Sequence, residues 1–462
     1  MNGYFEEADP ARLMRDYPMG RAYLEGPAAL SRDALRSLQE KRFAAVIARA
    51  WQVPFYRRRW SALGIEPGDI QGLDDIEKLP PFNKTDLMDS VSSNPPFGDY
   101  HGMDMQGETE RPSVVFHTTS GTTGTPQPLF FGAWDREVQN LLLARAYRLQ
   151  GLSDDDIVHS VYGFGMANDG HYSREAVLHF TKALFLSTGT GLETPLMQQI
   201  QLIKHFGATV LVGCIDDIKR LAEMAKREGV DSADLNIRMI SSQIGQHDRA
   251  EVSSIWGGVE TFDWYGAGDT GIMAAETPDR NGLHIFEDAH YVELLDADQK
   301  KPVPIGDPGN ICVTMLFKTS VYPIIRFETQ DVATMLMTAD DTGPARMSGI
   351  EGPIDNMIKL RGINVYPTSV GTHLAGHPVT LGEYVCRVVR RGHRDDMIVV
   401  IEVKPDALGD PNVATDLACF LRQKLGVEVD VETVSAGATM MFTQIEARQN
   451  PIRLIDERSL SL

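Results

Sequence analysis

His117-Thr118-Thr119-Ser120-Gly121-Thr122-Thr123-Gly124-Thr125-Pro126 is the segment around which the rest of this chain is organised. Five hydroxyls and two glycines fall between Thr118 and Gly124, an apolar strand-like run from Ser113 to Phe116 leads in, and Pro126 follows. Glycines let backbone N–H groups approach an anion closely, and Ser and Thr hydroxyls add donors, so the composition suits a polyphosphate. The alternative is an ordinary polar loop. The Gly-Lys-Ser/Thr ending of a Walker loop is absent.

Downstream, Asp135 is placed to cap a helix running to about Leu149. Residues 157–165, Ala183–Leu186, Ala208–Gly213 and Ile237–Ser241 read as short buried strands separated by helical stretches. That alternation predicts a mainly parallel α/β sheet, whose ligands lie outside the carboxyl ends of the strands. Gly163-Phe164-Gly165, Gly213-Cys214, Ser241-Ser242-Gln243 and the Thr/Gly loop all sit at such ends and can converge on one cleft. Upstream, residues 29–60 repeat apolar positions at three and four, a helical pattern broken at Val53-Pro54-Phe55-Tyr56. Leu79-Pro80-Pro81-Phe82-Asn83-Lys84-Thr85-Asp86 reads as a capped helix start, and residues 92–112 as surface loop.

From about residue 290 the β signals become denser: Tyr291–Leu295, Gly309–Thr314 and Tyr322–Phe327. Beyond Gly352-Pro353-Ile354-Asp355-Asn356 the pattern is that of a small α+β unit, with strands at Tyr384–Arg390, Met397–Val403 and Val427–Val434 and a helix over Val413–Leu425. The expected organisation is therefore α/β. A large N-terminal domain (1–353) has mixed sheets and a β-rich subdomain, and a small α+β domain (354–462) follows.

The 462 residues are 42% hydrophobic and 23% charged, with a formal net charge of −20. Clustered positive charge is what nucleic acid and anionic membranes demand, so neither is expected as a partner. The four cysteines, Cys214, Cys312, Cys386 and Cys419, show no CxxC spacing, which indicates no disulfide framework or zinc site and suits a reducing cytoplasm. The polar, acidic start MNGYFEEADPARLMRDYP is no signal peptide, and no apolar run approaches the roughly 18 residues that span a bilayer. His171, His179 and His205 match no common metal-ligand spacing and read as structural or surface residues.

Four separated stretches then point one way: Thr119-Ser120-Gly121-Thr122-Thr123-Gly124, Tyr265-Gly266-Ala267-Gly268-Asp269, Ile325-Arg326-Phe327-Glu328-Thr329-Gln330-Asp331, and Gly352 through Gly362. In that order they resemble the adenylate-forming superfamily of acyl-CoA synthetases, adenylation domains and luciferases. Val53-Pro54-Phe55-Tyr56, Leu79 to Leu87 and the ending Arg453-Leu454-Ile455-Asp456 are similar to its phenylacetate–CoA ligase branch. The resemblance implies a mobile C-terminal lid and a two-step reaction. A carboxylate attacks the α-phosphate of ATP, and a nucleophile, usually the CoA thiol, then displaces AMP. Mg²⁺ and cationic side chains neutralise the phosphates in such chemistry.

The resemblance also implies roles. Ser120, Gly121, Thr122, Thr123 and Gly124 would hold phosphates, and Asp331 would accept from both ribose hydroxyls. Tyr265 would lie along adenine, with Trp264, Gly266, Ser241, Ser242 and Gln243 beside it. Asp269 would ligate Mg²⁺ and Asp355 would serve as the hinge. Arg361 would face the cleft, and Gly362 would leave room for a pantetheine arm. The acyl pocket would draw on His117, Trp134, Tyr162, Phe164 and Ala267, and the acid would be small and aromatic. Homodimers are common in the branch.

The departures touch mostly the phosphates. Thr125 replaces the loop lysine, Gly268 and Asp269 replace a Thr-Glu pair, Pro353 replaces the hinge arginine, and Asn450 stands where the tail lysine is expected. Arg448 and Arg453 lie close enough in sequence to substitute for that lysine. Three functions stay open on this evidence. They are a CoA ligase, an adenylating enzyme with an amine or nitrite acceptor, and a catalytically silent nucleotide-binding homologue.

Overall fold

Short aliphatic runs bounded by glycine or proline become the strands of one mixed sheet. The computed structural model describes residues 3–103, 111–119, 126–245, 249–336, 343–353, 358–360, 363–365, 367, 369–374, 377–391, 394–425, 427–443 and 452–458. The chain forms two units, the first comprising Met1–Ile244 and Arg249–Gly349 and the second containing Ile350–Leu462.

In the first unit β1 (Val114–Thr118) and β2 (Pro128–Gly132) form an antiparallel ribbon that brings His117 opposite Leu129. The main sheet begins with β4 (Leu184–Ser187), β3 (Ile157–Ser160), β5 (Val210–Val212), β6 (Met239–Ser242) and β7 (Glu260–Ala267), adjacent in that order and parallel. At β7 the sheet changes character. It continues antiparallel through β8 (Gly271–Glu276), β9 (Leu283–Ile285), β13 (Arg346–Met347), β12 (Phe327–Leu336), β11 (Pro308–Met315) and β10 (His290–Leu295).

Parallel strands are covered on both faces, which is why Val210–Val212 is buried at every position. The helix Ile215–Arg227 supplies part of the cover by turning Ile218, Leu221, Ala222 and Ala225 inward at helical spacing, against Ile200, Ile203 and Trp256. The helical pattern over 29–60 forms two helices, Arg32–Ala50 and Pro54–Ser61. Pro54 takes the first position of the second, where a missing N–H costs nothing. Asn83 caps Lys84–Ser93 in a reciprocal capping box with Asp86.

Two local expectations fail, each for a physical reason. Asp135 is not a helix cap, because the helix begins at Ala133 and Gly132 occupies the cap position. The Asp135 carboxylate is fully buried and accepts the backbone N–H groups of Thr319 and Val321, both at 3.3 Å. Tyr322–Phe327 is not a strand, since Tyr322 and Arg326 adopt left-handed backbone angles (φ 47° and 57°) and β12 starts only at Phe327.

The Arg326 turn is fixed from several sides. Its guanidinium makes a bidentate ion pair with Glu293 (3.1 and 3.0 Å) and donates to the Leu79 carbonyl at 2.7 Å. Its own carbonyl accepts from Phe82 N–H at 3.0 Å, and Glu328 N–H donates back to the Phe82 carbonyl at 2.8 Å. The Leu79–Phe82 segment is thereby sewn to the start of β12.

The second unit is a sheet in the order Asp430–Val434, Arg394–Val403, Thr380–Arg391 and Leu454–Asp456, accompanied by helices Ser369–Leu374 and Pro411–Leu425. Its core gathers Val370, Leu374, Cys386, Val388, Val399, Ile401, Leu417 and Leu421. Leu454–Asp456, too short a run to carry a strand pattern, runs parallel to Thr380–Arg391.

Arg326→Met should leave the Glu293 carboxylate buried without its cation, at a cost of about 3–5 kcal/mol. Urea unfolding followed by tryptophan fluorescence checks this, and a loss below about 1 kcal/mol would contradict it. Burial also pulls His159 and His290 down to about 4. An unfolded imidazole titrates near 6.5, so the unfolded state takes up protons first as pH falls. Their contribution is present above about pH 6.5 and is lost on acidification toward about 4. The urea midpoint should fall over that window, and by less in a His290→Gln variant.

Candidate active site

The register between β11 and β12 breaks at one point. Asn310 faces Val332 and Cys312 faces Glu328, so the single residue Ile311 spans Thr329, Gln330 and Asp331. Gln330 sits at φ 67° within this bulge. A bulge re-aims the side chains it carries, and here it delivers two of them to Tyr265 on β7. The Tyr265 hydroxyl donates to Asp331 Oδ2 at 2.7 Å and lies 2.9 Å from Thr329 Oγ1. Desolvation raises the half-buried Asp331 carboxyl, and the bond from Tyr265 opposes the rise. Burial and the neighbouring Asp331 charge push the Tyr265 phenol well above its usual range.

Around Tyr265 the other expected nucleotide contacts are placed as follows. Gln243 Nε2 donates to the Gly266 carbonyl at 2.7 Å. A Cβ on Gly266 would collide with the Gly271 carbonyl, so this crossing of β7 and β8 tolerates no side chain. Ser241 Oγ donates to Gln150 Oε1 at 2.6 Å and Ser242 Oγ to the Gly213 carbonyl at 2.7 Å, both fully buried. Ser241 thus ties β6 to the end of the helix Ala133–Gln150, and Ser242 ties it to the end of β5. Trp264 is buried on β7, and its backbone N–H meets Asp263 Oδ1 at 2.8 Å.

Asp269 lies in the turn from β7 to β8. Its Oδ1 accepts from Gln127 Nε2 and from the Tyr322 hydroxyl, each at 2.6 Å, and burial raises the carboxyl. Behind it stands Lys318, fully buried, 3.3 Å from the Phe130 carbonyl and 4.3 Å from the centre of the Tyr322 ring. Burial lowers the Lys318 ammonium, and the charges of Asp135 and Asp269 hold it up. Asp135, Lys318 and Asp269 thus form a buried −/+/− arrangement. Both hydrogen bonds to Asp269 fall on one oxygen, and a carboxylate so oriented fits the single protein ligand that Mg²⁺ commonly takes beside phosphate and water. Among the described residues no group of three or more His, Cys, Asp or Glu side chains forms a metal site by itself.

Of the residues expected to line an acyl pocket, His117 and Phe164 meet through His171. The His117 and His171 rings are 5.0 Å apart, and His171 stands edge-on to Phe164 at 5.5 Å. His171 Nε2 also bonds the Phe164 and Gly165 carbonyls at 3.1 and 3.0 Å. Desolvation, with Arg136 and His171 adding to it, pulls His117 down to about 4. Tyr162 is buried, and Ala267 N–H donates to Thr270 Oγ1 at 3.1 Å. Trp134 is packed elsewhere, beneath the Arg12 guanidinium (4.1 Å) and beside Tyr17.

Ser120, Gly121, Thr122, Thr123, Gly124, Asp355, Arg361, Gly362, Arg448 and Asn450 lie outside the described residues. Arg453 is described. Its Nη1 donates to Glu383 Oε2 at 2.8 Å and to the Tyr384 carbonyl at 2.7 Å, so Glu383 neutralises its charge. Sequence reasoning missed Gln127, Lys318 and Tyr322, none of which stands in a recognisable motif. Thr329 was within reach, two residues before Asp331 in a quoted motif.

The fold is that of the adenylate-forming enzymes. A 2-hydroxyisobutyryl-CoA ligase, solved with 2-HIB-AMP and CoA, superposes with a TM-score of 0.76 at 23% identity, covering 93% of each chain. A family described as "AMP-binding enzyme C-terminal domain" matches residues 362–458. The phenylacetate–coenzyme A ligase of Thermus thermophilus is 30% identical over 444 residues, which cover 91% of this chain and 95% of that protein. That of Aromatoleum evansii is 29% identical over 386 residues, 82% and 83% of the two chains. The chain belongs to the phenylacetate–CoA ligase family.

Gly266→Ala should push β7 from β8 and cost about 1–3 kcal/mol by overpacking. A thermal midpoint unchanged from wild type would contradict the close crossing.

Proposed function

We propose that this protein is an ATP-dependent acid–CoA ligase for a small, aromatic carboxylic acid. The observation that carries this reading is the meeting of Tyr265 and Asp331, from strands far apart in sequence, at a bulge in β12. Kinship to phenylacetate–coenzyme A ligases supports the choice of acid and thiol.

In the first half-reaction a carboxylate oxygen of the acid attacks the α-phosphorus of ATP. The bridge to the β-phosphate breaks and pyrophosphate leaves. In the second, the CoA sulfur attacks the acyl carbon, the bond to AMP breaks, and the thiol proton is released. Asp331, ionised, would accept from both ribose hydroxyls and fix the nucleotide's orientation, with Tyr265 holding that carboxylate and lying along the base. Ser120 to Gly124 would receive the phosphates, and Asp269, oriented by Gln127 and Tyr322, would hold Mg²⁺. When bound, that ion neutralises phosphate charge. Residues 1–353 would form the AMP-binding domain and 354–462 the lid, turning at Asp355, with Arg361 and Gly362 at the thiol's approach.

Solution properties follow in the same reading: a cytoplasmic enzyme, homodimeric, with no role for nucleic acid or membrane. Cys214, Cys312, Cys386 and Cys419 have no CxxC spacing, which suits that compartment. No helix among the described residues is long and apolar enough to cross a membrane.

Pyrophosphate release across a panel of small acids, with mass spectrometry of products formed with CoA, an amine or nitrite present, tests the function. Acyl-CoA is the expected product, and tight AMP binding without turnover of any acid would contradict it. Asp331→Asn should lower kcat/KM for ATP by roughly 10²-fold or more, the loss of charged hydrogen bonds. Arg448→Ala should depress adenylation while sparing thiolysis of a supplied acyl-adenylate. Arg453→Ala should instead lower the stability of the second unit and slow both half-reactions alike.

A further inference from the structure

Buried polar atoms without partners gather at one place in the first unit. On the helix Ala133–Gln150, Arg136 and Gln139 stand three residues apart and share a face. Arg136 is 0% exposed. It donates from Nε to Glu175 and from Nη1 to Asn168, both at 2.6 Å, but Nη2 finds no acceptor among the described residues. Gln139 is 1% exposed, and neither Oε1 nor Nε2 finds a partner among the described residues.

Both groups belong to one patch. The Arg136 guanidinium carbon lies 5.5 Å from the ring centres of Phe131 and Tyr172. On the other side, a Cβ placed on Gly271 would stand 3.1 Å from both the Gln139 carboxamide carbon and the Tyr172 hydroxyl. Gly271 pairs with Ala267 across β7 and β8, and His117 lies 6.4 Å from Phe131, ring to ring. The patch therefore runs from His117 to Ala267, two residues of the candidate acyl wall.

Native proteins seldom leave buried polar atoms unpaired, because each has forfeited its hydrogen bonds to water. A leucine at 139 would fill similar space without that cost. An oxygen function answers these atoms: it accepts from the guanidinium N–H and from the carboxamide NH2, and a hydroxyl also donates to the carboxamide oxygen. An unsubstituted phenyl ring supplies neither.

We infer that the acid bears a hydroxyl or carbonyl oxygen on its acyl portion, and that Arg136 and Gln139 receive it. This rests on the acid–CoA ligase reading of the same site. It assigns to this chain a polar-substituted acid in preference to phenylacetate itself.

The test is pyrophosphate release by the full-length protein with phenylacetate and with its 3-hydroxy, 4-hydroxy and 4-carboxamide derivatives. At least one substituted acid should exceed phenylacetate in kcat/KM by about 100-fold or more, since a site built to bond a hydroxyl rejects the analogue lacking it. Gln139→Leu should shrink that ratio to about 10-fold or less while raising the thermal midpoint of the ligand-free protein. A merely structural glutamine would move neither in that direction. Arg136→Lys keeps the charge, loses the fork and should shrink the ratio too, which covers the case of Gln139→Leu failing to fold. Phenylacetate as the best substrate, or a ratio unmoved in whichever variants fold, overturns the inference and leaves the ligase reading standing. No pyrophosphate from any acid overturns both.

Discussion

One constraint organises the first unit: three residues of β12 must fit against one residue of β11. Thr329, Gln330 and Asp331 cannot all continue the ladder opposite Ile311, so the strand bulges and its side chains leave the regular alternation. The left-handed angle at Gln330 is part of that geometry. Without the bulge, Asp331 would follow the ordinary pleat and would not be directed by local backbone geometry to the Tyr265 hydroxyl.

The bulge in turn relies on buried ionic structure. Arg326 anchors the chain just before β12 by pairing with Glu293 and binding the Leu79 carbonyl. Lys318 lies against the Tyr322 ring, and the charges of Asp135 and Asp269 act on its ammonium. Buried ion pairs contribute little net stability compared with apolar packing, but they punish any rearrangement that separates them. The segment from Lys318 to Arg326, with two left-handed residues and no regular structure, is held by these charges and by neutral bonds: the Tyr56 hydroxyl accepts from the Ile325 N–H and donates to the Pro323 carbonyl, and the Tyr322 N–H donates to the His101 carbonyl. That segment presents the Tyr322 hydroxyl to Asp269.

Much of this was legible in the sequence. The alternation of short apolar runs and helical stretches predicts the parallel portion of the sheet; the family resemblance assigns Tyr265 and Asp331 to base and ribose, and the two side chains do meet. Two kinds of information were not legible. Asp135 has every local mark of a helix cap, but a distant loop offers its carboxylate better donors, and tertiary hydrogen bonds outrank a local one. Tyr322–Phe327 has the apolar residues of a strand, yet the ion pair at Arg326 and the reversed angles at Tyr322 and Arg326 keep it irregular. Lys318, Gln127 and Gln139 carry no pattern at all, because what makes them notable is burial beside other polar groups. The inferred oxygen on the acid rests on Gln139, whose unpartnered polar atoms are visible only in the folded chain.

If Asp331 and Tyr265 together hold the nucleotide, a crystal structure of the protein soaked with AMP will show it. Both ribose hydroxyls should lie within hydrogen-bond distance of the Asp331 carboxylate, about 3 Å, with the adenine along the Tyr265 ring. AMP bound away from Asp331, or absent from this site at saturating concentration, would contradict it.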